Sequence, residues 1–304
     1  MKKKSLKAQI YDARWCYIFV FPCLVITGLF VLYPIGMSWY FSLLDWSGFT
    51  KAAKFIGFQN YVEAINDQFF WDAFARSFIF MFGTVPAKIV LGFIIAVFLN
   101  NQVLKLAPIF RTIIFMPVVT AIAIIGIVMT FVFSPFNGPA NKFLMQTNLT
   151  SGPIDFLGNP DTVLPTIMAV YVWKWLGITM MYWLAALQTV PQDVYDAAKI
   201  DGAEGIRLWI YIILPIVLPF AIVIILVEAV SALNVFPLIE TMTAGGPFFS
   251  SEVMEVYIFR TAFVTDAGTM PRLGYACAAG VFWGVAVLFI TALQGFWIRR
   301  TRKI

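Results

Sequence analysis

Long apolar stretches alternate with short polar ones along most of the chain. Six of the apolar stretches are long enough to cross a bilayer as a helix, for which about 20 residues suffice. They comprise residues 15–44, 74–99, 108–133, 163–187, 212–238 and 274–298. The pattern predicts an all-α integral membrane protein with six transmembrane helices, organised as one domain over residues 1–304.

Three of the five segments between these helices are markedly polar, and they differ in character. Residues 45–72 and 134–161, the second rich in Gly, Pro and Asn, are predicted to be external segments. Because each charge at the bilayer centre costs roughly 2.5–3.5 kcal/mol, a cluster of charges must lie outside the hydrocarbon. Residues 188–215, which we call the polar loop, carry such a cluster within fifteen positions: Asp193, Asp196, Lys199, Asp201, Glu204 and Arg207.

The polar loop has the local chemistry of two short helices that meet at a turn. Pro191 suits a first helical turn, where its missing N–H is no loss. Nothing interrupts a helix over residues 192–200, and Gly202 can end it in a left-handed conformation. Asp201 is predicted to cap the second helix, with Glu204 completing a capping box.

Small side chains surround the predicted turn, namely Ala197, Ala198 and Ala203. A partner's surface could therefore approach the main chain closely at this point. Two interpretations follow from the residues: the polar loop is a docking element for another protein, or it is an ordinary solvated loop.

The amino-acid composition also indicates a membrane protein and argues against a catalytic or metal site. The mean hydropathy is +0.85, and 61% of the residues are hydrophobic. The chain has no His, the commonest general base and metal ligand. Its three Cys lie in or beside apolar stretches, with neither disulfide nor metal spacing. No catalytic residue and no metal site is predicted.

Basic residues are distributed unevenly between the two sides of the predicted membrane. Lys and Arg favour cytoplasmic segments, whereas Asp and Glu contribute little to orientation. The side that holds the polar loop and both termini has thirteen of them and the other side six, with Lys88 and Lys174 inside spans. Both termini and the polar loop are therefore predicted to be cytoplasmic, and the isoelectric point of about 9.1 reflects topology rather than nucleic-acid binding.

Polar and aromatic side chains in the fourth and fifth spans suggest a path for a substrate. Spacings of three and four residues place one set on a single helical face of the fifth span: Glu228, Ser231, Asn234, Leu238 and Thr241. The fourth span offers aromatic faces from Tyr171, Trp175 and Tyr182. Such residues suit a sugar, but polar groups also join helices and aromatic stripes also serve packing.

The ionisable residues inside spans allow further interpretations. Glu228 can neutralise Lys174 or Lys88 in a structural pair. The same three residues could instead form the ion relay of a secondary transporter, which internal inverted repeats would favour, although none is convincing here. A scaffold or membrane enzyme is a third class, but the clustered nucleophiles or metal ligands that an enzyme needs are missing from the sequence.

One motif in the polar loop is specific. The loop resembles the EAA loop of the membrane-spanning permeases of bacterial ABC importers. Asp196 stands where that family usually has Glu, and Trp209 where Phe is usual. The matching residues are Asp196, Ala197, Ala198, Asp201, Gly202, Ala203, Trp209, Ile212, Leu214 and Pro215.

Weaker matches in the same order extend the resemblance over roughly residues 15–298. They are similar to the carbohydrate-uptake branch, related to maltose and glycerol-phosphate permeases. These matches comprise residues 110–117, 138–141, 173–177, 185–191 and 243–247.

The resemblance implies a function and a set of partners. The polar loop would form a coupling helix that docks in a separate ATPase dimer, on which ATP and Mg²⁺ are bound. A second homologous permease, an extracytoplasmic solute-binding protein and a sugar substrate complete the expected assembly in the bacterial cytoplasmic membrane. The chain has no Gly-Lys pair and hence no phosphate-binding loop, so no cofactor is expected on this subunit.

Overall fold

The structure, a computed structural model, describes residues 14–50, 53–100, 105–264 and 270–301. Helices account for most of this part of the chain. They fall into two compact units, one formed by residues up to Asp67 together with Ile258–Phe282, and the other by Gln68–Tyr257 together with residues from Trp283 onward.

The first unit begins with a continuous apolar helix and continues into a small hairpin. Helices α1 and α2 are joined by a π-helical turn, Gly28–Leu32, and together form a 28-residue apolar segment. Strands β1 and β2 pair antiparallel, with Leu44 opposite Phe55. The elements are α1 (Arg14–Thr27), α2 (Tyr33–Phe41), β1 (Leu44–Asp45), β2 (Lys54–Phe55) and α3 (Gln59–Asn66).

Side chains of α3 and its flanks hold the first unit together. The buried amide of Asn60 donates hydrogen bonds to the carbonyl oxygens of Ser42 and Leu44, at 2.8 and 2.9 Å. The guanidinium of Arg272 donates to both carboxylate oxygens of Glu63, at 2.5 and 2.7 Å. This contact lowers the pKa of Glu63 below its usual range. The segment predicted as external therefore carries a hairpin and a helix.

The second unit contains the long helices of the predicted membrane region. Helix α4 has 32 residues; it packs along α8, which also packs on α5. A π-helical turn, Leu208–Ile213, leads directly into α10. Its elements are α4 (Gln68–Leu99), α5 (Ala107–Val119), α6 (Ile122–Val132), α7 (Pro139–Gln146), α8 (Pro160–Leu187), α9 (Gln192–Ile200), α10 (Leu214–Ala232) and α11 (Phe236–Met242). The last two helices, α12 (Met254–Phe263) and α13 (Leu273–Thr301), each have residues in both units.

Within the described residues, five helical segments are long and apolar enough to cross a membrane, and there is a sixth if one bent pair of helices counts as a single span. The bent pair is α5 and α6, which meet at 97°. The prediction of one continuous third helix over residues 108–133 is therefore wrong in its geometry. Thr120 and Ala121 take extended conformations at the break, with ψ of 138° and 132°. The other five predicted spans each coincide with a long helix.

The fifth helix ends earlier than predicted. Helix α10 stops at Ala232, and α11 starts at Phe236 rather than continuing it. A carboxylate oxygen of Glu255 accepts hydrogen bonds from the main-chain N–H groups of Val235 and Phe236, at 2.8 and 2.7 Å. These bonds satisfy the free donors at the start of a helix and stabilise a separate α11.

Glycines allow the helices of the second unit to approach closely. A Cβ added at Gly177 of α8 would lie 2.6 Å from the carbonyl oxygen of Ile114 in α5. One added at Gly92 of α4 would lie 3.3 Å from the main-chain nitrogen of Met180. Helix α8 thus contacts both neighbours through its own main chain, which fixes the side chains that it presents between them.

Candidate functional site

A cavity of about 300 Å³, which we call the aromatic cavity, opens between α4, α8 and α10. Helix α8 contributes the aromatic rings, α10 the small polar groups and α4 a lysine. The residues that line the aromatic cavity are Lys88, Tyr171, Trp175, Ile178, Tyr182, Val227, Glu228, Val230, Ser231 and Asn234.

An ion pair lies in the wall of the aromatic cavity. The ammonium of Lys88 donates to carboxylate oxygen Oε2 of Glu228, and the two residues are 0% and 3% exposed. The hydroxyl of Thr179 donates to the other oxygen, Oε1, at 2.7 Å. The ammonium also lies 4.6 Å from the ring centre of Tyr171. Side chains of α4, α8 and α10 are joined in this way, and Glu228 pairs with Lys88 rather than Lys174.

Lys174 has a different environment, at the bend between α5 and α6. Its ammonium donates to the carbonyl oxygens of Pro117, Val118 and Thr120, at 2.9, 3.2 and 2.8 Å. An ammonium has three donors, so all of them are used. A cation is favourable at the carbonyl end of a helix, and here it satisfies the groups that the bend leaves without helical partners.

Six of the eight residues predicted for the substrate path line the aromatic cavity together: Tyr171, Trp175, Tyr182, Glu228, Ser231 and Asn234. The other two do not, because the predicted single face is broken between α10 and α11. Leu238 is fully buried in α11. Thr241 bonds to the carbonyl oxygen of Pro237 at 2.7 Å and packs over Gly126 of α6.

Four lining residues are absent from the predicted path, namely Lys88, Ile178, Val227 and Val230. The sequence predicts Lys88 only as an ion-pair partner of Glu228, although a lysine in an apolar span indicates either an aqueous or a paired environment. Ile178 lies between the predicted aromatic residues on α8 and carries no signal that separates it from ordinary packing.

The first helix of the polar loop, α9, spans Gln192–Ile200 as predicted, with Pro191 as its cap rather than its first residue. Gly202 has a φ of +69°. The N–H of Ala203 bonds to the carbonyl of Ala198 at 2.8 Å, and the N–H of Gly202 to that of Lys199 at 3.1 Å. This pair of bonds around a left-handed glycine is the Schellman arrangement, which ends a helix in a fixed geometry.

The predicted capping box is wrong. Asp201 caps the end of α9 through its main chain, and in the described part of the chain its side chain makes no hydrogen bond. Gly205 has a φ of +59°, so the turn continues and the next helix starts after it. A second left-handed glycine lengthens the turn beyond the reach of the Asp201 carboxylate.

Helix α9 has a packed face and an exposed face. Ala198 is buried, and Val194 and Tyr195 pack against the core between α4, α8 and α10. The Tyr195 ring lies 6.3 Å from that of Trp209, in an edge-on arrangement. Burial raises the pKa of the Tyr195 phenol, so it stays neutral at physiological pH.

Most of the residues that match the EAA motif are accessible, although only Asp196 and Ala197 of these lie on α9 itself. Asp201 and Gly202 are exposed in the turn, Pro215 is exposed in α10, and Ala203 and Leu214 are half-buried. Two apolar side chains beside them, Ile200 and Ile206, are 87% and 74% exposed. Sequence reasoning missed these two, since an isolated Ile in a short helix looks like a core residue.

A second cavity of about 750 Å³ lies beside α9, between it and the ends of α4 and α8. Its polar lining includes Asn100, Gln188, Tyr195 and Lys199. Among residues 14–50, 53–100, 105–264 and 270–301, no three His, Cys, Asp or Glu side chains come together as a metal site.

Comparison with known families defines the class of this protein. Residues 64–303 match the family described as "Binding-protein-dependent transport system inner membrane component". The chain belongs to this family and is a permease subunit of an ABC importer, a multi-pass inner-membrane component that is not itself catalytic. The resemblance seen in the sequence is thereby confirmed, and the interpretations as ion-coupled transporter, scaffold or membrane enzyme are set aside.

Individual relatives extend over nearly the whole chain. The lactose transport system permease protein LacF of Rhizobium radiobacter is 31% identical over 303 residues, which cover 99% of this chain and 98% of that protein. The sn-glycerol-3-phosphate transport system permease protein UgpA of Escherichia coli O6:K15:H31 is 28% identical, with coverages of 95% and 96%. A crystal structure of a bacterial ABC transporter involved in alginate import has a chain with a TM-score of 0.83. The two chains are 22% identical, and the match covers 98% of this chain and 99% of that one. At this level of identity the similarity shows a shared fold.

Proposed function

We propose that the chain forms half of the translocation path of an ATP-driven importer for a sugar or oligosaccharide. The aromatic cavity carries this proposal, because it combines aromatic rings with small hydrogen-bonding groups in a predominantly apolar wall. Saccharides present hydroxyl groups at their edges and apolar faces between them, and ligand sites of this mixed kind are the rule for small molecules. Relatives named as lactose and sn-glycerol-3-phosphate permeases support a carbohydrate or polyol substrate.

The polar loop is the coupling element of this proposal. Helix α9 is anchored on one face and ends in a fixed turn, so force applied at the turn is transmitted to the cores of α4, α8 and α10. The residues proposed for coupling to the ATPase are Asp196, Ala197, Ala198, Asp201, Gly202, Ala203, Leu214 and Pro215. Ala198 and Leu214 support this surface from below rather than touching the partner, given their burial.

Membership of the family supports the remaining partners in this proposal. A second homologous permease forms the other half of the path, and an extracytoplasmic binding protein delivers the sugar. ATP and Mg²⁺ are held by the ATPase dimer. The polar loop and both termini lie in the cytoplasm, an orientation that the distribution of Lys and Arg supports.

The experiment is ATP hydrolysis by the purified importer in lipid nanodiscs, with its binding protein loaded with sugar. Wild-type activity should rise on addition of the loaded binding protein, and Gly202→Trp should abolish that rise. Gly57→Trp is the matched control, because Gly57 also has a positive φ of 61° and open surroundings but lies in the first unit. Equal stimulation of the Gly202→Trp variant and the wild type would refute the coupling role.

A further inference from the structure

The charges in the aromatic cavity cancel. Among its lining residues only Lys88 and Glu228 are ionisable at neutral pH, and they are paired with each other. Thr179 occupies the second oxygen of Glu228. Lys174 is nearby along α8, but its three donors are all bound to carbonyl oxygens at the α5–α6 bend.

A charged ligand would therefore find no free counter-charge in this wall. Moving an ion out of water is costly unless a partner of opposite sign and further hydrogen bonds replace the lost water. An anion that approached Lys88 would also approach the Glu228 carboxylate, and the two interactions would largely cancel. A cation would face the same cancellation with the signs reversed.

A neutral, hydroxylated ligand fits the same wall. The hydroxyl of Ser231 donates to the carbonyl oxygen of Val227 within α10, and the amide of Asn234, just past the end of α10, donates to that of Val230, both at 2.9 Å. Their oxygens remain able to accept hydrogen bonds from a ligand hydroxyl. The ammonium groups of Lys88 and Lys174 lie 4.6 and 4.5 Å from the ring centres of Tyr171 and Trp175. Because Tyr171 is only 1% exposed, the aromatic surface that a ligand can reach comes from Trp175 and Tyr182.

The size of the cavity adds a limit on length. Its volume of about 300 Å³ lies at the lower end of the range of about 300–1,000 Å³ for small-molecule sites. On the side of the path that this chain forms, the volume matches one or two sugar units.

We propose that the aromatic cavity selects uncharged mono- or disaccharides and disfavours sugar acids, amino sugars and phosphorylated polyols. This inference rests on the proposed carbohydrate function and goes beyond the relatives, whose names include both neutral lactose and anionic glycerol phosphate. The paired state of Lys88 and Glu228 decides between these ligand classes.

The test is saturation-transfer NMR on the purified importer without its binding protein, so that the permease site alone is measured. Matched ligands differ in one charge: glucose, galactose and mannose against their uronic acids and amino sugars, with lactose and glycerol 3-phosphate added. We expect saturation of at least one neutral sugar and at least about tenfold weaker apparent affinity for its charged counterparts, because burial of an unpaired charge is costly.

Two variants test whether the saturation-transfer signal of the neutral sugar comes from the aromatic cavity. Trp175→Leu should remove it, because Trp175 lines the aromatic cavity. Trp173→Leu should retain it, because Trp173 is 46% exposed on the same helix and is not among the lining residues. A neutral-sugar signal that persists unchanged in Trp175→Leu would overturn the assignment of the cavity.

The outcomes separate this inference from the proposed function. Binding of uronic acids or glycerol 3-phosphate in preference to their neutral counterparts would overturn the charge selection and leave the carbohydrate function standing. If no carbohydrate of any charge binds, and none stimulates ATP hydrolysis through the binding protein, the proposed function fails and the inference falls with it.

Discussion

The ion pair between Lys88 and Glu228 gives the most demanding prediction. Both side chains are almost completely buried, at 0% and 4% exposure, so neither can recover its hydration when the other is removed. Loss of one partner from a buried pair costs about 3–5 kcal/mol, whereas replacement of both by apolar groups of similar volume is often neutral. We therefore expect Lys88→Met and Glu228→Leu each to be destabilised by about that amount.

The double variant Lys88→Met/Glu228→Leu should recover most of the loss. The one polar group left behind, the hydroxyl of Thr179, also contacts the carbonyl oxygen of Trp175 in its own helix, at 3.4 Å. It therefore keeps a partner when Glu228 is gone. The expected signature is a large favourable coupling energy between the two substitutions, which a double-mutant cycle measures directly.

Denaturant unfolding of the complete importer in mixed micelles, followed by tryptophan fluorescence, gives the four free energies of the cycle. Lys142→Met is the control, because Lys142 is exposed in α7 and surface substitutions usually change stability by less than about 0.5 kcal/mol. If each single variant loses no more unfolding free energy than Lys142→Met, the ion pair is solvated. A double variant as unstable as the singles would show that packing, not charge, is what the two residues supply.

Three further predictions concern other parts of the second unit. Gly177→Ala places a Cβ 2.6 Å from the carbonyl oxygen of Ile114 and should cost about 1–3 kcal/mol through overpacking, whereas Gly284→Ala, in open space, should not lower the melting temperature. Lys174→Met leaves three carbonyl oxygens at the α5–α6 bend without their donor and should cost about 3 kcal/mol or more in the same melting assay, given about 1–3 kcal/mol for each unsatisfied buried group; a loss no greater than that of Lys142→Met would refute this role. Ile200→Asp should reduce binding-protein-stimulated ATP hydrolysis at least about tenfold, as expected for an exposed apolar anchor of a docking surface, while Ile200→Leu should retain it; equal activities would exclude Ile200 from the contact.

The long helices and the first half of the polar loop were predictable because their causes are local. Hydropathy over about 20 residues identifies a span, and a glycine after a nine-residue helix identifies its end. The capping box failed for a local reason as well. The sequence contains two glycines, Gly202 and Gly205, and only the structure shows that both take the left-handed conformation.

Breaks inside the apolar stretches were not predictable, because their causes are distant in sequence. Nothing within residues 108–133 marks the bend at Thr120, apart from a proline that helices of membrane proteins tolerate. The ammonium that satisfies the bend comes from Lys174 on another helix, 54–57 residues away. In the same way the start of α11, which follows the break after α10, is stabilised by Glu255, 19–20 residues further on. These contacts form only after the chain has folded back on itself.

Lys88 and Lys174 illustrate why the candidate site needed the structure. In the sequence each is a single lysine in an apolar span, and the cost of burying charge says only that each must have a partner. One is neutralised by a carboxylate 140 residues away, and the other is bound by carbonyl oxygens alone. The first arrangement leaves the aromatic cavity without net charge, and the second keeps a free cation out of it. Had Lys174 paired with Glu228 instead, Lys88 would face the cavity unpaired, and the same composition would favour an anionic sugar.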